Sequence, residues 1–176
     1  MNKTEYDYSP FIERLKSSDF DILADALSEL SGLHEAPPTG VVRQLIIKHL
    51  DNSDLEVKEW AIRASGMHWK FTEAYKKIYE ISQDSSQQED IIEKALASLN
   101  CYALNDDDKK SSVNIALGRY IQNEKWSFSS RIYIYNLFLH LNEEMSLLML
   151  ANKGVRKIQN KIDYDLVNKI MVSSKK

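Results

Sequence analysis

Carboxylates recur along this chain at a fixed interval. Asp25, Glu59 and Glu93 stand thirty-four residues apart. Each lies two residues after one apolar position (Leu23, Val57, Ile91) and two before another (Leu27, Ala61, Ala95). At about 100° per residue, a helical side chain two positions from such a stripe points roughly 200° away from it. A row of carboxylates on an outward face can recognise cations or a basic surface. Asp21, Glu56, Glu89 and Asp90 fall in the same stretches, and Trp60 follows Glu59. An aromatic among carboxylates can anchor an interface. The expected partner-binding set is therefore Asp21, Asp25, Glu56, Glu59, Trp60, Glu89, Asp90 and Glu93. A solvated helix face is the plainer reading of the same pattern, and acids in a first helical turn suit the helix dipole without any partner. If Ile92 rather than Ile91 marks the third register, Lys94 replaces Glu93 and the row shortens to two.

Other chemistries find little footing. The four histidines, His34, His49, His68 and His140, include no His-x-x-x-His pair and no Glu-x-x-His pair. Neither a Gly-x-Ser-x-Gly elbow nor a Gly-rich phosphate loop occurs. The single cysteine, Cys101, excludes an internal disulfide framework and a cysteine-based zinc site. Neighbouring carboxylates are so common in the first half that their proximity identifies no acid–base pair. The expectation is a chain with no catalytic residues, no metal and no cofactor.

Charge is divided along the chain. Residues 1–108 hold 11 Lys/Arg and 21 Asp/Glu, a balance of −10, and residues 109–176 hold 12 and 5, a balance of +7, which sum to the net −3. Such asymmetry speaks to partners rather than to fold. The acidic half repels nucleic acid and attracts basic surfaces. Lys109, Lys110, Arg119, Lys125, Arg131, Lys153, Arg156, Lys157 and Lys161 cluster late, interleaved with loops, so nucleic-acid binding is not the expectation. No run approaches the ~20 apolar residues of a membrane-spanning helix. The opening residues have no apolar segment of a secretory signal. With one cysteine, this favours a cytoplasmic location, and the expected assembly is a monomer.

These side chains need elements to carry them. With 43% hydrophobic residues, 3 prolines and 5 glycines, the chain has a core's worth of apolar side chains and too few turn residues for an all-β fold. Apolar spacing is helical nearly throughout. Residues 1–8 read as a frayed lead-in. Ser9 is expected to cap a first helix with Pro10 at its first position, Ser18 or Asp19 a second over about 20–31, and Thr39 to start a third. Ser53 is expected to cap a fourth over 54–66, closed by Gly66. Further helices are read over about 71–82, 87–103, 109–122 and 128–141, with shorter ones near 143–151 and 163–172 and a loose end from Ser173. Paired, they give hairpins over 10–32, 39–66, 71–103 and 109–141 with a degenerate C-terminal pair over 143–172, in one domain covering 1–176. His34 and His68 fall thirty-four residues apart just after helix ends, where an imidazole can bond the last carbonyls.

The segment Asp54, Val57-Lys58, Ala61, Ala64, Gly66 and its echo Asp19, Leu23, Leu27, Gly32 resemble the HEAT-repeat family, of the short bacterial kind, over about residues 18–103. The resemblance implies an all-α, right-handed α-solenoid of four to five helical hairpins that binds a partner, usually a protein, on an inner face lined by the second helices. The charge row then implies a basic partner. In its concrete form this is an immunity protein or antitoxin covering a basic, nuclease-type toxin. A generic scaffold or adaptor is the neighbouring expectation, and a DNA-binding or base-excision glycosylase-like HEAT protein is the alternative from another class.

Overall fold

A computed structural model describes residues 6–104, 106–142 and 162–175. Among them it is all-helical, with nine α-helices and no strand: α1 (Ser9–Arg14), α2 (Phe20–Gly32), α3 (Gly40–Lys48), α4 (Leu55–Ile62), α5 (Tyr75–Gln83), α6 (Glu89–Ala103), α7 (Asp107–Gln122), α8 (Phe128–Leu141) and α9 (Tyr164–Ser173). The expected helix near 143–151 lies outside the described residues.

Most helix starts follow from one residue each. The Asp19 carboxylate accepts from the backbone N–H groups of Asp21 and Ile22 at 3.0 and 3.4 Å. Asp54 does the same for Val57 at 3.0 Å, Ser127 for Ser130 at 3.2 Å, and Asp163 for Leu166 at 3.0 Å. Each satisfies an amide the helix itself cannot, a contribution of about 1 kcal/mol. Two assignments are corrected. Asp54, not Ser53, caps α4, because Asn52 Oδ1 takes the Asp54 amide at 2.9 Å and folds the turn so that the next carboxylate faces the helix. Tyr8, not Ser9, holds the cap position of α1, with the Asp7 carboxylate accepting from the Ser9 amide. Residues 6–8 are also not frayed: Tyr8 packs edge-on against Trp69, with centroids 6.2 Å apart.

The turn between α5 and α6 shows the same logic in a titratable group. Asp84 accepts from the Ser86 hydroxyl at 2.7 Å, the Gln87 amide at 2.8 Å and the Ser86 backbone at 2.9 Å. Chiefly through the Ser86 hydroxyl, these bonds hold its carboxyl at about 2, against an ordinary 3.8. The folded value is depressed, so whatever stability the group lends is present above pH 3.8 and lost as pH falls towards 2. A carbon-detected NMR titration should place Asp84 near 2. In Ser86→Ala the midpoint should climb towards 3.8, and an unmoved midpoint would refute the hydroxyl's role.

The helices share one continuous core running from Phe11 to Met171. α2 packs on α4, α4 on α6 and α6 on α8, while α5 pairs with α6 and α7 with α8, and α9 lies on α7. The end of α4 departs from a plain helix. Arg63–His68 forms one wide π-type turn, in which the Trp69 amide reaches back to the Ala64 carbonyl at 3.1 Å. Lys70 then takes a left-handed φ of 53°. Gly66 sits within this turn, fully packed, and does not close the helix as the sequence had implied.

Cross-chain bonds tie successive helix ends together. His49 Nε2 lies 2.8 Å from the Leu15 carbonyl and His68 Nε2 2.6 Å from the Leu33 carbonyl. A carbonyl only accepts, so both rings donate from Nε2, which leaves His49 Nδ1 to accept from Asn52 Nδ2 at 3.4 Å. His68 therefore satisfies the end of the preceding segment rather than its own helix. His34, its sequence counterpart, is exposed.

Candidate partner-binding face

α2, α4 and α6 carry every residue of the expected set. Asp21 and Asp25 are exposed on α2, Glu56 on α4 and Asp90 on α6. Glu59, Trp60, Glu89 and Glu93 are half-buried. Periodicity explains why. Leu23, Leu27 and Leu30 turn α2 inward, Val57 and Ala61 do so for α4, and Ile91, Ala95 and Ser98 for α6. Glu56, Glu59, Trp60 and Asp90 converge on one groove of about 330 Å³, completed by Leu55, Gln88 and Ile91. Exposed apolar side chains flank the acids: Phe20 and Ile22 on α2, Leu55 on α4, Phe128 on α8. Phe20, Leu55 and Phe128 each occupy the first residue of a helix.

The carboxylates are not equivalent. Glu59 is neutralised in place. Its Oε1 accepts from Arg63 Nε at 2.9 Å and Nη2 at 2.7 Å, and Lys94 Nζ stands 3.8 Å away. Arg63 follows Glu59 by one helical turn, the favourable i,i+4 order, and its guanidinium also lies 5.0 Å from the Trp60 ring centroid. With side chains 36% and 29% exposed, this pair contributes about 0–1 kcal/mol to stability. Its larger effect is on the potential, since two cations now surround the middle rung of the charge row.

Glu89 has a different task. Its Oε1 accepts from the Ser127 amide at 2.7 Å and from the Tyr120 hydroxyl at 3.4 Å. Burial opposes its ionisation. The bonds from Ser127, Ser130 and Tyr120 more than offset this and leave the carboxyl below its ordinary range. Glu89 thus braces the start of α8. Asp21, Asp25, Glu56, Asp90 and Glu93 have no ion pair among the described residues.

Tyr133 completes the face from α8. It is 40% exposed, and burial of its ring side pushes its hydroxyl up in pKa, with Glu93 and Cys101 adding and Arg63 opposing. Tyr135, its neighbour in the sequence, is buried. Trp126 stacks parallel to Tyr120 with centroids 5.4 Å apart and Trp69 on Phe71 at 5.6 Å, so both serve packing.

Arg63 was not expected at this face, and Lys94 was expected there only in the alternative third register. The i,i+4 spacing of Glu59 and Arg63 could have flagged the first pair. That Lys94 approaches Glu59 could not be read from sequence, because it depends on how α6 docks beside α4. The late basic residues do not form one patch where described. Lys109 pairs with Asp106, Arg119 reaches Gln83, Lys125 reaches the Ser85 carbonyl and Arg131 reaches Tyr164. Lys153, Arg156, Lys157 and Lys161 lie outside the described residues. Among the described residues no group of three His, Cys, Asp or Glu side chains could hold a metal ion, and no helix is long and apolar enough to cross a membrane. Cys101 is half-buried, and burial pushes its thiol up, the opposite of an activated nucleophile. No protein-family model matches the chain, and no curated protein matches it.

Proposed function

We propose that this chain is a non-enzymatic, protein-binding α-solenoid of HEAT-like hairpins whose second-helix face captures a basic partner protein. The observation that carries the reading is the outward row of unpaired Asp21, Asp25, Glu56 and Asp90 on three successive contacting helices. In support of a repeat array, α2, α4, α6 and α8 touch in order. The bonds His49–Leu15, His68–Leu33 and Tyr102–Ser65 also link residues 34, 35 and 37 positions apart. Arg63, Trp60 and Tyr133 in the middle of the face are the residue types that dominate binding energy at interfaces. A ring of like charge around such a centre hastens encounter and rejects acidic surfaces. An acidic binder of this size suits an inhibitor that sheathes a basic enzyme, and an immunity protein or antitoxin against a nuclease-type toxin in the cytoplasm is the concrete form.

The test is a co-expression assay with the product of the adjacent gene, followed by stopped-flow binding. Wild-type chain should protect the cell and bind with an association rate that falls about tenfold or more as salt rises. Asp21→Lys, Asp25→Lys, Glu56→Lys and Asp90→Lys combined should slow association at low salt by a similar factor while far-ultraviolet dichroism stays unchanged. Reversal of the equally exposed Glu80 and Glu124 should change little. Salt-independent association, or full binding by the fourfold variant, would sink the acidic-face reading.

A further inference from the structure

We infer that the groove between the N-terminal turns of α4 and α6 is an anchor subsite for one arginine side chain of the partner. The inference rests on the protein-binding reading above and names the chemistry of its central contact. The groove is lined by the apolar side chains of Leu55, Ile91 and Trp60, by Gln88 and Glu59, and by two further carboxylates, Glu56 and Asp90. Both are exposed and unpaired, in contrast to Glu59, which Arg63 and Lys94 already neutralise. At about 330 Å³ the space lies at the small end of ligand sites. It suits one long side chain rather than a cofactor. The occupant should be long, apolar along its stem and cationic at its tip.

The chain supplies its own precedent for the choice of arginine. Arg63 lies with its guanidinium 5.0 Å from the Trp60 centroid while forking onto Glu59 through two nitrogens. It approaches Trp60 from the turn on the C-terminal side and is not part of the groove, whereas Leu55 and Glu56 lie one turn to the N-terminal side. Trp60 thus has a cation on one flank and an unfilled, acid-lined space on the other. A planar guanidinium can stack on an aromatic face and donate a fork of hydrogen bonds to a carboxylate at once. An ammonium is a more strongly hydrated point charge and does neither as well. At α4 the Asp54 carboxylate already takes the Val57 amide, whereas α6 has no side-chain cap at Gln88, so Glu56 and Asp90 must outweigh the amides of its first turn.

The probes are two synthetic hexapeptides, hexa-arginine and hexa-lysine, each acetylated at its N-terminus and amidated at its C-terminus. They are titrated into the full 15N-labelled chain at low and at moderate salt. The Trp60 indole N–H resonance should shift saturably, with the arginine peptide binding about fivefold or more tightly than the lysine peptide. Glu56→Gln with Asp90→Asn, both exposed and isosteric, should weaken the arginine peptide about fivefold and erase most of the preference. Trp60→Leu should erase the preference while leaving residual salt-sensitive binding. If the peptides shift residues around Asp21 and Asp25 but leave the Trp60 indole unmoved, the subsite is wrong and the broader acidic face stands. Equal affinity of the two peptides, with the Trp60 indole shifting, overturns the choice of arginine. Absence of any shift overturns both.

Discussion

Tyr102→Ala should cost about 3–5 kcal/mol of folding stability, the range for deleting a buried aromatic. Tyr102 is only 7% exposed. Its ring meets Tyr75 edge-on with centroids 5.3 Å apart, and its hydroxyl donates to the Ser65 and Phe71 carbonyls at 3.1 and 2.7 Å. One side chain of α6 thereby ties the wide turn that follows α4, at Ser65, to the segment just beyond it, at Phe71. Tyr102→Phe separates the two contributions. Each carbonyl keeps a second partner, Ser65 the Phe71 amide at 2.8 Å and Phe71 the Ala74 amide at 2.9 Å. Loss of the hydroxyl alone should therefore cost only about 1 kcal/mol. Urea unfolding followed by dichroism measures both. Equal losses would mean that the hydroxyl, not ring packing, dominates. Burial, reinforced by Glu73, raises the hydroxyl above its ordinary 10.0. The folded value is raised, so pH dependence runs the other way from the Asp84 case: the unfolded chain ionises first as pH climbs past 10.0. The stability this group lends is present below pH 10 and lost as pH rises through the folded value, a loss that Tyr102→Phe should abolish.

Gly66→Ala is the second large effect, and there two terms oppose each other. In a helical backbone alanine gains about 1 kcal/mol over glycine. A Cβ on residue 66, however, would stand 2.7 Å from Ser98 Cβ, 2.8 Å from Ile78 Cδ1 and 2.8 Å from Ser98 Oγ. Ile78 Cδ1 is a terminal methyl and can turn away. Ser98 Cβ is fixed to the α6 backbone, so α4 and α6 must move apart. Overpacking of this kind costs about 1–3 kcal/mol, which outweighs the propensity gain. The net expectation is a loss of up to about 2 kcal/mol, or about 2–4 °C in melting temperature per kcal/mol at this chain length. Ser98→Gly in the alanine background should recover part of it, giving a favourable coupling of at least about 0.5 kcal/mol in a double-mutant cycle. A melting temperature equal to or above wild type in Gly66→Ala would show that the two helices are not held at this distance.

Both sites sit at the junction of α4 with α6, the junction that also forms the groove beneath Trp60. The close approach at Gly66 sets how near the two helices lie at one end. The groove lined by Glu56 and Asp90 opens at the other end of the same pair. Gly66→Ala should therefore be read alongside the peptide titrations, since a wider α4–α6 spacing changes the groove without touching its lining.

Much of this protein was legible in its residues. The 3.6-residue spacing of Leu23, Leu27, Leu30 and of Ile91, Ala95, Leu99 fixes which side of each helix is buried, because apolar area leaves water wherever a stripe allows it. The starts of α2 and α8 were legible from the Ser18-Asp19 pair and Ser127, since an uncapped first turn leaves amides unsatisfied. The outward direction of Asp21, Asp25, Glu56 and Asp90 follows from the same periodicity. What each charge does was decided only by the fold. Glu59 and Glu89 look like Asp25 in the sequence, yet Glu59 meets Arg63 and Lys94, and Glu89 meets Ser127 and Tyr120. Lys94, Ser127 and Tyr120 come from other helices or turns, thirty-one to thirty-eight residues away, and their approach depends on the docking of α6 against α4 and of α7 and α8 against α6. The wide turn at Arg63–His68 belongs to the same class, since a glycine pressed on Ser98 and a tyrosine bonding two carbonyls exist only once α6 is in place. Local pattern determines which face a residue takes, because a helix is closed by its own backbone. The partner of a charge is a matter of tertiary distance, because Coulomb and hydrogen-bond terms are felt only over a few ångströms.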